Sequence, residues 1–145
     1  MTITVDASVF VAAARTEEAH NLASRQFLLQ VRVRAMSLFC PILILPECAA
    51  AVARPTGDAA LGEELVTLIE GIPGLQLITL DPPLAHRAVH IATHHRLRGA
   101  DSVYVAVAEA FNATLITLDA EMLERGADVV TTITPMQWMD EREIV

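Results

Sequence analysis

The chain has 145 residues, of which 53% are hydrophobic, and a formal net charge of −8. Its length fits one domain with a sizeable core. All ten cationic residues are Arg and none is Lys, which excludes a GxxxxGK[ST] phosphate-binding loop and Schiff-base catalysis. Arg side chains remain to bind phosphate oxygens, although solvation of the surface is the favoured interpretation for most of them. The candidates are Arg15, Arg25, Arg32, Arg34, Arg87, Arg96 and Arg98.

Strand and helix patterns alternate along the chain. β-branched or apolar runs bounded by turn residues predict strands at 2–6, 36–40, 75–80, 114–118 and 128–132. Apolar residues at three- and four-residue spacings, with caps or breakers, predict helices at 9–14, 17–34, 43–54, 58–70, 84–97, 101–111 and 121–125. We expect Asn112 to adopt a left-handed conformation after its helix. The alternation predicts an α/β fold in a single domain, 1–145, with a parallel central sheet flanked by helices on both sides.

The apolar stretch 35–53 is nearly long enough to span a bilayer. Pro41, Pro46 and Glu47 argue against a membrane helix, because prolines break helices and a charge near the bilayer centre costs about 3 kcal/mol. We therefore expect this stretch to form core, with no membrane contact. Cys40 and Cys48 lie in apolar sequence without a CxxC spacing, which favours reduced thiols and a cytoplasmic location.

Four carboxylates stand where the predicted fold could bring them together: Asp6, Glu47, Asp101 and Asp119. Asp6 and Asp119 end strands, and the carboxyl ends of parallel strands meet at one edge of a sheet. Glu47 and Asp101 lie in the first turns of helices that can start at that edge. At about 5 Å and an effective dielectric constant near 20, each pair would repel by roughly 3 kcal/mol. The cluster must therefore take up protons or bind cations, and oxygen ligands select Mg²⁺ or Mn²⁺.

Simpler explanations exist for each acid taken alone. Asp6 and Asp101 could cap helices, with Ser8 a second cap beside Asp6, while Asp119 could be a turn residue and Glu47 a buried acid paired with an Arg. The four acids together, in this order, favour a functional site over these separate roles.

A second metal site is conceivable on the predicted helix 84–97. His86, His90 and His94 recur every four residues, a spacing that can bind zinc. However, Leu84, Ala88, Ile91 and Ala92 define the inward face of this helix, so the histidine stripe points largely away from the core. A solvated polar face is the favoured interpretation.

Four segments of the chain resemble a PIN domain in their residues, order and spacing: VDAS at 5–8, PECAAA at 46–51, GADSVYVAVA at 99–108 and LITLD at 115–119. The resemblance covers almost the whole chain, and its size is similar to that of VapC-type toxins of toxin–antitoxin pairs. The resemblance implies that Asp6, Glu47, Asp101 and Asp119 are the catalytic, metal-binding acids. It also implies that Ser8 and Thr117 support them through hydroxyl contacts.

By this resemblance we expect a ribonuclease that hydrolyses RNA phosphodiester bonds with Mg²⁺ or Mn²⁺ and a water nucleophile. The expected partners are RNA, a cognate antitoxin protein and a second copy of the chain in a homodimer. Two alternatives remain open. A receiver-like regulatory module also gathers acids around Mg²⁺, but it needs a cationic partner for its phosphoryl group and this chain has no Lys. A catalytically silent PIN-like binding module would keep the fold without metal-dependent RNA cleavage.

Overall fold

A computed structural model describes residues 1–143; Ile144 and Val145, which end the predicted domain, lie outside the described residues. The strands are β1 (Thr2–Val5), β2 (Ser37–Pro41), β3 (Leu75–Ile78), β4 (Thr114–Ile116) and β5 (Thr132–Ile133). The helices are α1 (Ala7–Ala14), α2 (Asn21–Val33), α3 (Ile44–Thr56), α4 (Ala59–Glu70), α5 (Pro82–His95), α6 (Gly99–Ala110), α7 (Ala120–Arg125) and α8 (Pro135–Glu143).

The strands form one parallel sheet in the order β3-β2-β1-β4-β5, which confirms the predicted α/β fold. The first three strands lie side by side, with β2 next to β1 and β3 at the edge. The next strand, β4, pairs with the opposite side of β1. Right-handed crossovers in this order put helices on both faces of the sheet. The strand order reverses between β1 and β4, which opens a crevice at their carboxyl ends.

The registers of β1 and β4 bring their ends to the same level. Val5 pairs with Ile116, and the backbone N–H of Asp6 donates to the carbonyl of Ile116 at 2.9 Å. Residues that follow these two strands therefore enter the crevice side by side.

Helix α6 is the most buried helix of the described chain. Every residue from Ser102 to Ala108 is buried, because the helix packs against β1, β2 and β4. This position explains why its sequence is apolar on nearly all sides. Asn112 follows with a φ of 51°, which confirms the predicted left-handed residue.

The apolar stretch 35–53 forms β2 and most of α3. Cys40, Ile44, Cys48 and Val52 are all at most 1% exposed, so the predicted core role is confirmed. No helix within residues 1–143 is long and apolar enough to cross a membrane.

The predicted helix 17–34 begins later than expected. Residues 15–20 form turns, and the side chain of Asn21 donates to the carbonyls of Ala12 and Ala13 at 2.8 and 3.2 Å. These bonds satisfy carbonyls that α1 leaves free at its end, and they set the start of α2.

The predicted last strand, 128–132, is wrong in position. The chain makes a 3₁₀ turn at Gly126–Asp128, and the N–H groups of Val129 and Val130 both donate to the carbonyl of Gly126 at 3.0 Å. Val129 and Val130, the β-branched residues that suggested a strand, therefore lie in the turn. As a result β5 pairs with β4 only at Thr132 and Ile133.

Helix α8 is absent from the sequence prediction, although a capping box marks its start. The N–H of Thr134 donates to the side chain of Gln137 at 2.9 Å, and the N–H of Gln137 donates to the hydroxyl of Thr134 at 3.1 Å. The helix packs against α2, with Trp138 only 1% exposed and edge-on to Phe27 at 5.2 Å between ring centroids.

We predict that Trp138→Ala lowers the free energy of unfolding by about 3–5 kcal/mol, because it leaves a large cavity between α8 and α2. Urea denaturation followed by circular dichroism measures the change without the fluorescence of the lost indole. Met136→Ala is the control, since Met136 lies on the same helix but is 55% exposed. Equal denaturation midpoints for the two variants would show that α8 does not contribute to the core.

Candidate active site

Asp6 lies in the crevice directly after β1. Its side chain is buried, with 6% of the residue exposed, and its Oδ2 accepts hydrogen bonds from the hydroxyls of Ser8 at 2.6 Å and Thr117 at 2.9 Å. Although Asp6 occupies the N-cap position of α1, its side chain makes no capping hydrogen bond. The simpler explanation of Asp6 and Ser8 as caps therefore does not hold, because the Ser8 hydroxyl donates to Asp6 and accepts from the N–H of Leu118 at 3.1 Å.

Thr117 connects Asp6 to Asp119. The Thr117 hydroxyl donates to Asp6 and accepts from the backbone N–H of Asp119 at 3.0 Å. Asp119 then caps α7, with its Oδ1 accepting from the N–H of Met122 at 3.0 Å. The other carboxylate oxygen of Asp119, Oδ2, does not take part in this cap and binds a second residue in the crevice. Asp119 therefore both caps α7 and belongs to the site.

That second residue is Arg98, which joins Asp119 to Asp101. The Nη2 of Arg98 donates to Oδ2 of Asp119 at 2.9 Å, and its Nε donates to Oδ2 of Asp101 at 3.1 Å. Asp101 lies in the first turn of α6 with 15% of its side chain exposed, whereas 68% of the Arg98 side chain is exposed. A single guanidinium from the rim of the crevice therefore bridges two carboxylates.

Glu47 lies in the first turn of α3, as predicted, and is half-buried. Its Oε1 accepts a hydrogen bond from the hydroxyl of Tyr104 at 2.6 Å. Tyr104 is completely buried and lies three residues after Asp101, on the same side of α6. No Arg pairs with Glu47 in the described part of the chain, so its partner is a neutral hydroxyl.

Asp6, Glu47, Asp101 and Asp119, here called the acid cluster, are linked electrostatically. Burial raises the pKa of Asp6, and the hydroxyls of Ser8 and Thr117 partly offset this rise. Burial also raises the pKa of Glu47, which Asp6 and Asp101 repel. The pKa of Asp101 is raised by burial and by repulsion from Asp119 and Asp6, against the opposing charge of Arg98. The structure thus brings the four predicted acids to one edge of the sheet.

The donor set of the acid cluster fits Mg²⁺ or Mn²⁺. Within residues 1–143, no three His, Cys, Asp or Glu side chains are arranged to hold a metal ion directly. Mg²⁺ does not require such a cage, since it keeps several waters and is usually held by one or two carboxylates. Asp101 and Asp119 already share one cationic group, which shows that this pair accommodates positive charge.

Arg98 and Tyr104 are site residues that the sequence pattern does not predict. Tyr104 carries a weak signal, as a lone hydroxyl one turn after Asp101 in an otherwise apolar helix. Arg98 stands three residues before Asp101, a spacing that allows an ion pair on one side of a helix, but its contact with Asp119 joins residues 21 positions apart.

The histidine stripe lies on the exposed face of α5, as predicted. His86, His90 and His94 are all exposed, and the rings of His90 and His94 stack with centroids 3.9 Å apart. Proximity to His94 lowers the pKa of His90.

The comparisons with known proteins identify a family. The PIN domain model matches residues 3–128, a range that contains the whole acid cluster. No curated protein matches the chain. Similar solved structures include PAE2754 from Pyrobaculum aerophilum, with 21% identity, a TM-score of 0.69 and coverage of 100% of both chains.

Two further structures are similar at lower identity. VapC20 from Mycobacterium tuberculosis, described as a sarcin–ricin loop cleaving toxin, is 13% identical, with a TM-score of 0.73 over 89% of this chain and 96% of that one. A chain of a toxin–antitoxin complex from Klebsiella pneumoniae is 14% identical, with a TM-score of 0.64 over 92% and 97%. At these identities the structures show a shared fold.

We predict that the contribution of the acid cluster to stability in chelator falls as pH rises from about 4 toward neutrality, against the opposite trend from Glu17 and Glu109, whose pKa values are lowered. The pKa values of Asp6, Glu47 and Asp101 lie above their ordinary values of 3.8, 4.5 and 3.8. A carboxyl with a raised pKa binds its proton more tightly in the folded state. The contribution of this protonation to the free energy of unfolding is complete when the pH is below the ordinary pKa. It is lost as the pH rises through the raised pKa.

Urea denaturation over this pH range measures the effect, with Asp101→Asn as the comparison. The variant removes one of the repelling charges, so its stability should decline less with pH than that of the wild type. An equal or steeper decline in Asp101→Asn would contradict mutual repulsion in the cluster.

We predict that Tyr104→Phe lowers the free energy of unfolding by about 1–2 kcal/mol, because it removes the donor to Glu47. In a Glu47→Ala background, the same change should cost much less, since the acceptor is already gone. Denaturation of the four proteins in this double-mutant cycle gives the coupling energy. Zero coupling would mean that the hydroxyl does not hold Glu47.

Proposed function

Because this chain belongs to the PIN domain family, we propose that it is a Mg²⁺- or Mn²⁺-dependent endoribonuclease that hydrolyses RNA phosphodiester bonds. The observation that carries the proposal is the convergence of the acid cluster at the crevice between β1 and β4. The family match gives no support to a receiver-like module. A catalytically silent PIN domain is the outcome that the activity test below must exclude.

The chain's own residues would organise this chemistry. Ser8 and Thr117 hold the Asp6 carboxylate in one orientation, and Tyr104 does the same for Glu47. Asp101 and Asp119 present oxygens toward the rim of the crevice, where Arg98 binds them. A bound Mg²⁺ or Mn²⁺ would lower the pKa of a water nucleophile and neutralise charge on the phosphate.

Local charge explains how an acidic protein can act on RNA. Divalent cations in the acid cluster would reverse the local field where the substrate phosphate must bind. The net charge of −8 would still limit indiscriminate binding of RNA elsewhere on the surface, since such binding depends on the number of cationic contacts.

We propose that the protein is the toxin of a toxin–antitoxin pair, with a cognate antitoxin and a second copy of itself as partners. The descriptions of VapC20 as a toxin and of the Klebsiella pneumoniae chain as part of a toxin–antitoxin complex support this role. An apolar groove bordered by the exposed residues Leu80 and Val89 offers a surface for a second copy.

A cytoplasmic location fits the state of the cysteines. Cys40 and Cys48 are free and buried, and burial raises the pKa of the Cys40 thiol to about 12. Thiols of this kind are unreactive and suit a reducing compartment.

We predict that Asp6→Asn and Asp101→Asn each reduce Mg²⁺-dependent RNA cleavage by about 100-fold or more, beyond the typical effect of a group that only orients a metal ligand. Both variants should fold, as judged by circular dichroism. Cleavage of a mixed RNA pool with Mg²⁺, Mn²⁺ or chelator is the assay. Asp58→Asn is the control, because Asp58 caps α4 outside the cluster and Asn caps equally well.

Full activity in both site variants would refute the nuclease assignment. A folded wild-type protein that cleaves no RNA with either cation would instead identify a silent binding module.

Arg98 and a divalent cation should compete for Asp101 and Asp119. We predict that Arg98→Gln lowers the melting temperature in chelator, because it removes the cation that now offsets the repulsion. The rise in melting temperature on adding Mn²⁺ should be larger than in the wild type. Arg87→Gln is the control, since Arg87 pairs with Glu109, eight residues or about 12 Å along α6 from Asp101. An Mn²⁺ effect no larger in Arg98→Gln than in Arg87→Gln would exclude competition.

A further inference from the structure

An open groove of about 550 Å³ lies directly beside the acid cluster. Three of the chain's ten arginines line it: Arg96, Arg98 and Arg125. Two acids, Asp119 and Glu121, also line the groove, and Asp119 belongs to the acid cluster as well. In a protein with a net charge of −8, this is a local cluster of guanidinium groups that outnumber the acids lining the same groove at the edge of the proposed active site.

The connection from α5 to α6 and the end of α7 build this groove together. Arg96 ends α5 with a φ of 56° and a ψ of 42°, and this left-handed residue reverses the chain so that Leu97 is buried while its neighbours face outward. Arg125, the last residue of α7, donates from Nη1 to the carbonyl of Arg96 at 2.7 Å. This bond holds the arginine-bearing segments against each other.

Much of the hydrogen-bonding capacity of these arginines is unused. The exposed side chain of Arg96 makes no hydrogen bond or ion pair with any residue from 1 to 143. Arg125 approaches Glu121 at 3.4 Å, and Arg98 is held by the two carboxylates of the cluster. Since a guanidinium carries five N–H donors in a planar fork, these groups are well suited to phosphate oxygens.

We propose that the groove formed by Arg96, Arg98 and Arg125 binds the phosphate backbone of the RNA strand on one side of the bond that is cleaved. The proposal rests on the proposed nuclease function and adds the path of the substrate. Asp119 contributes to both surfaces, so a phosphate in the groove is a neighbour of the phosphate at the acid cluster. If a cation took over its two carboxylates, Arg98 would be free to contact the strand as well.

An acidic peptide is the other ligand that arginines could bind. The position of the groove favours RNA, because a strand whose cleaved phosphate lies at the acid cluster continues past Asp119, the residue that the cluster and the groove share. The same RNA could also be held elsewhere, on the exposed arginines of α2, of which Arg32 is one.

The test measures binding of a fluorescently labelled, short single-stranded RNA by anisotropy over a series of salt concentrations. Each titration is run with Ca²⁺, a divalent cation that oxygen ligands also bind, and again in chelator, and a gel of the RNA afterwards checks that no cleavage has occurred. Binding is thereby measured separately from cleavage, so the groove can fail or succeed independently of the nuclease assignment. The variants are Arg96→Gln and Arg96→Gln/Arg125→Gln. Arg87→Gln and Arg32→Gln are matched controls that remove one positive charge outside the groove.

We expect Arg96→Gln to weaken RNA binding about threefold and to reduce the slope of log K against log salt by about 0.7, the value for one lost phosphate contact on a single strand. The double variant should lose about twice that slope, while both controls keep the wild-type slope. Arg96→Gln alone leaves the Arg125 side chain in place, so a folding defect in the double variant does not remove the test.

Equal slopes and affinities for the groove variants and Arg87→Gln would overturn the proposal. A loss confined to Arg32→Gln would place the RNA on α2 and would also overturn it. Displacement of a labelled acidic peptide, but not of RNA, by the groove substitutions would identify a peptide site and refute the RNA path.

Discussion

The carboxylates of the acid cluster repel one another at the carboxyl end of the sheet, and the surrounding contacts are arranged around that repulsion. Ser8 and Thr117 donate hydroxyl hydrogen bonds to Asp6, Tyr104 donates one to Glu47, and Arg98 supplies the positive charge between the other two acids. Burial alone favours the protonated form of an acid. The cluster is therefore stable either when it is partly protonated or when it is associated with cations, and the second condition is the one that a metal-dependent nuclease uses.

The sheet topology makes this concentration of charge possible. Asp6 and Asp119 follow neighbouring strands whose registers place their ends at the same level, while α3 and α6 contribute acids from their first turns. The repulsion between the acids destabilises the fold. Burial of the apolar interior, in which α6 is buried along most of its length, offsets this repulsion. Regular helices and strands thus position the acids, and Arg98, the most exposed residue of the site, is the group that would have to move if a cation took its place.

The sequence predicts the fold class and the buried nature of α6 from patterns of local range, and the convergence of the four acids follows from that fold together with the resemblance to the PIN family. Alternating strands and helices indicate a parallel sheet, and the edge rule for parallel strands places Asp6 and Asp119 together. The contacts of Arg98 with Asp119 and of Tyr104 with Glu47 depend on the relative placement of elements distant in sequence, which no periodicity reveals. The misplaced β5 has a different cause, since Val129 and Val130 favour a strand by propensity but are used in a turn on Gly126. Helix α8 was detectable from the spacing of Thr134 and Gln137, the two residues of its capping box.

The central claim is that the acid cluster is one cation site. Anomalous diffraction at the manganese absorption edge, from crystals of the protein grown with Mn²⁺, tests it most directly. The account predicts an anomalous peak within coordination distance of Asp101 and at least one other acid of the cluster, with the Arg98 guanidinium displaced from both of its carboxylates. Crystals that contain Mn²⁺ but show no peak at the cluster, with Arg98 still bridging Asp101 and Asp119, would contradict it.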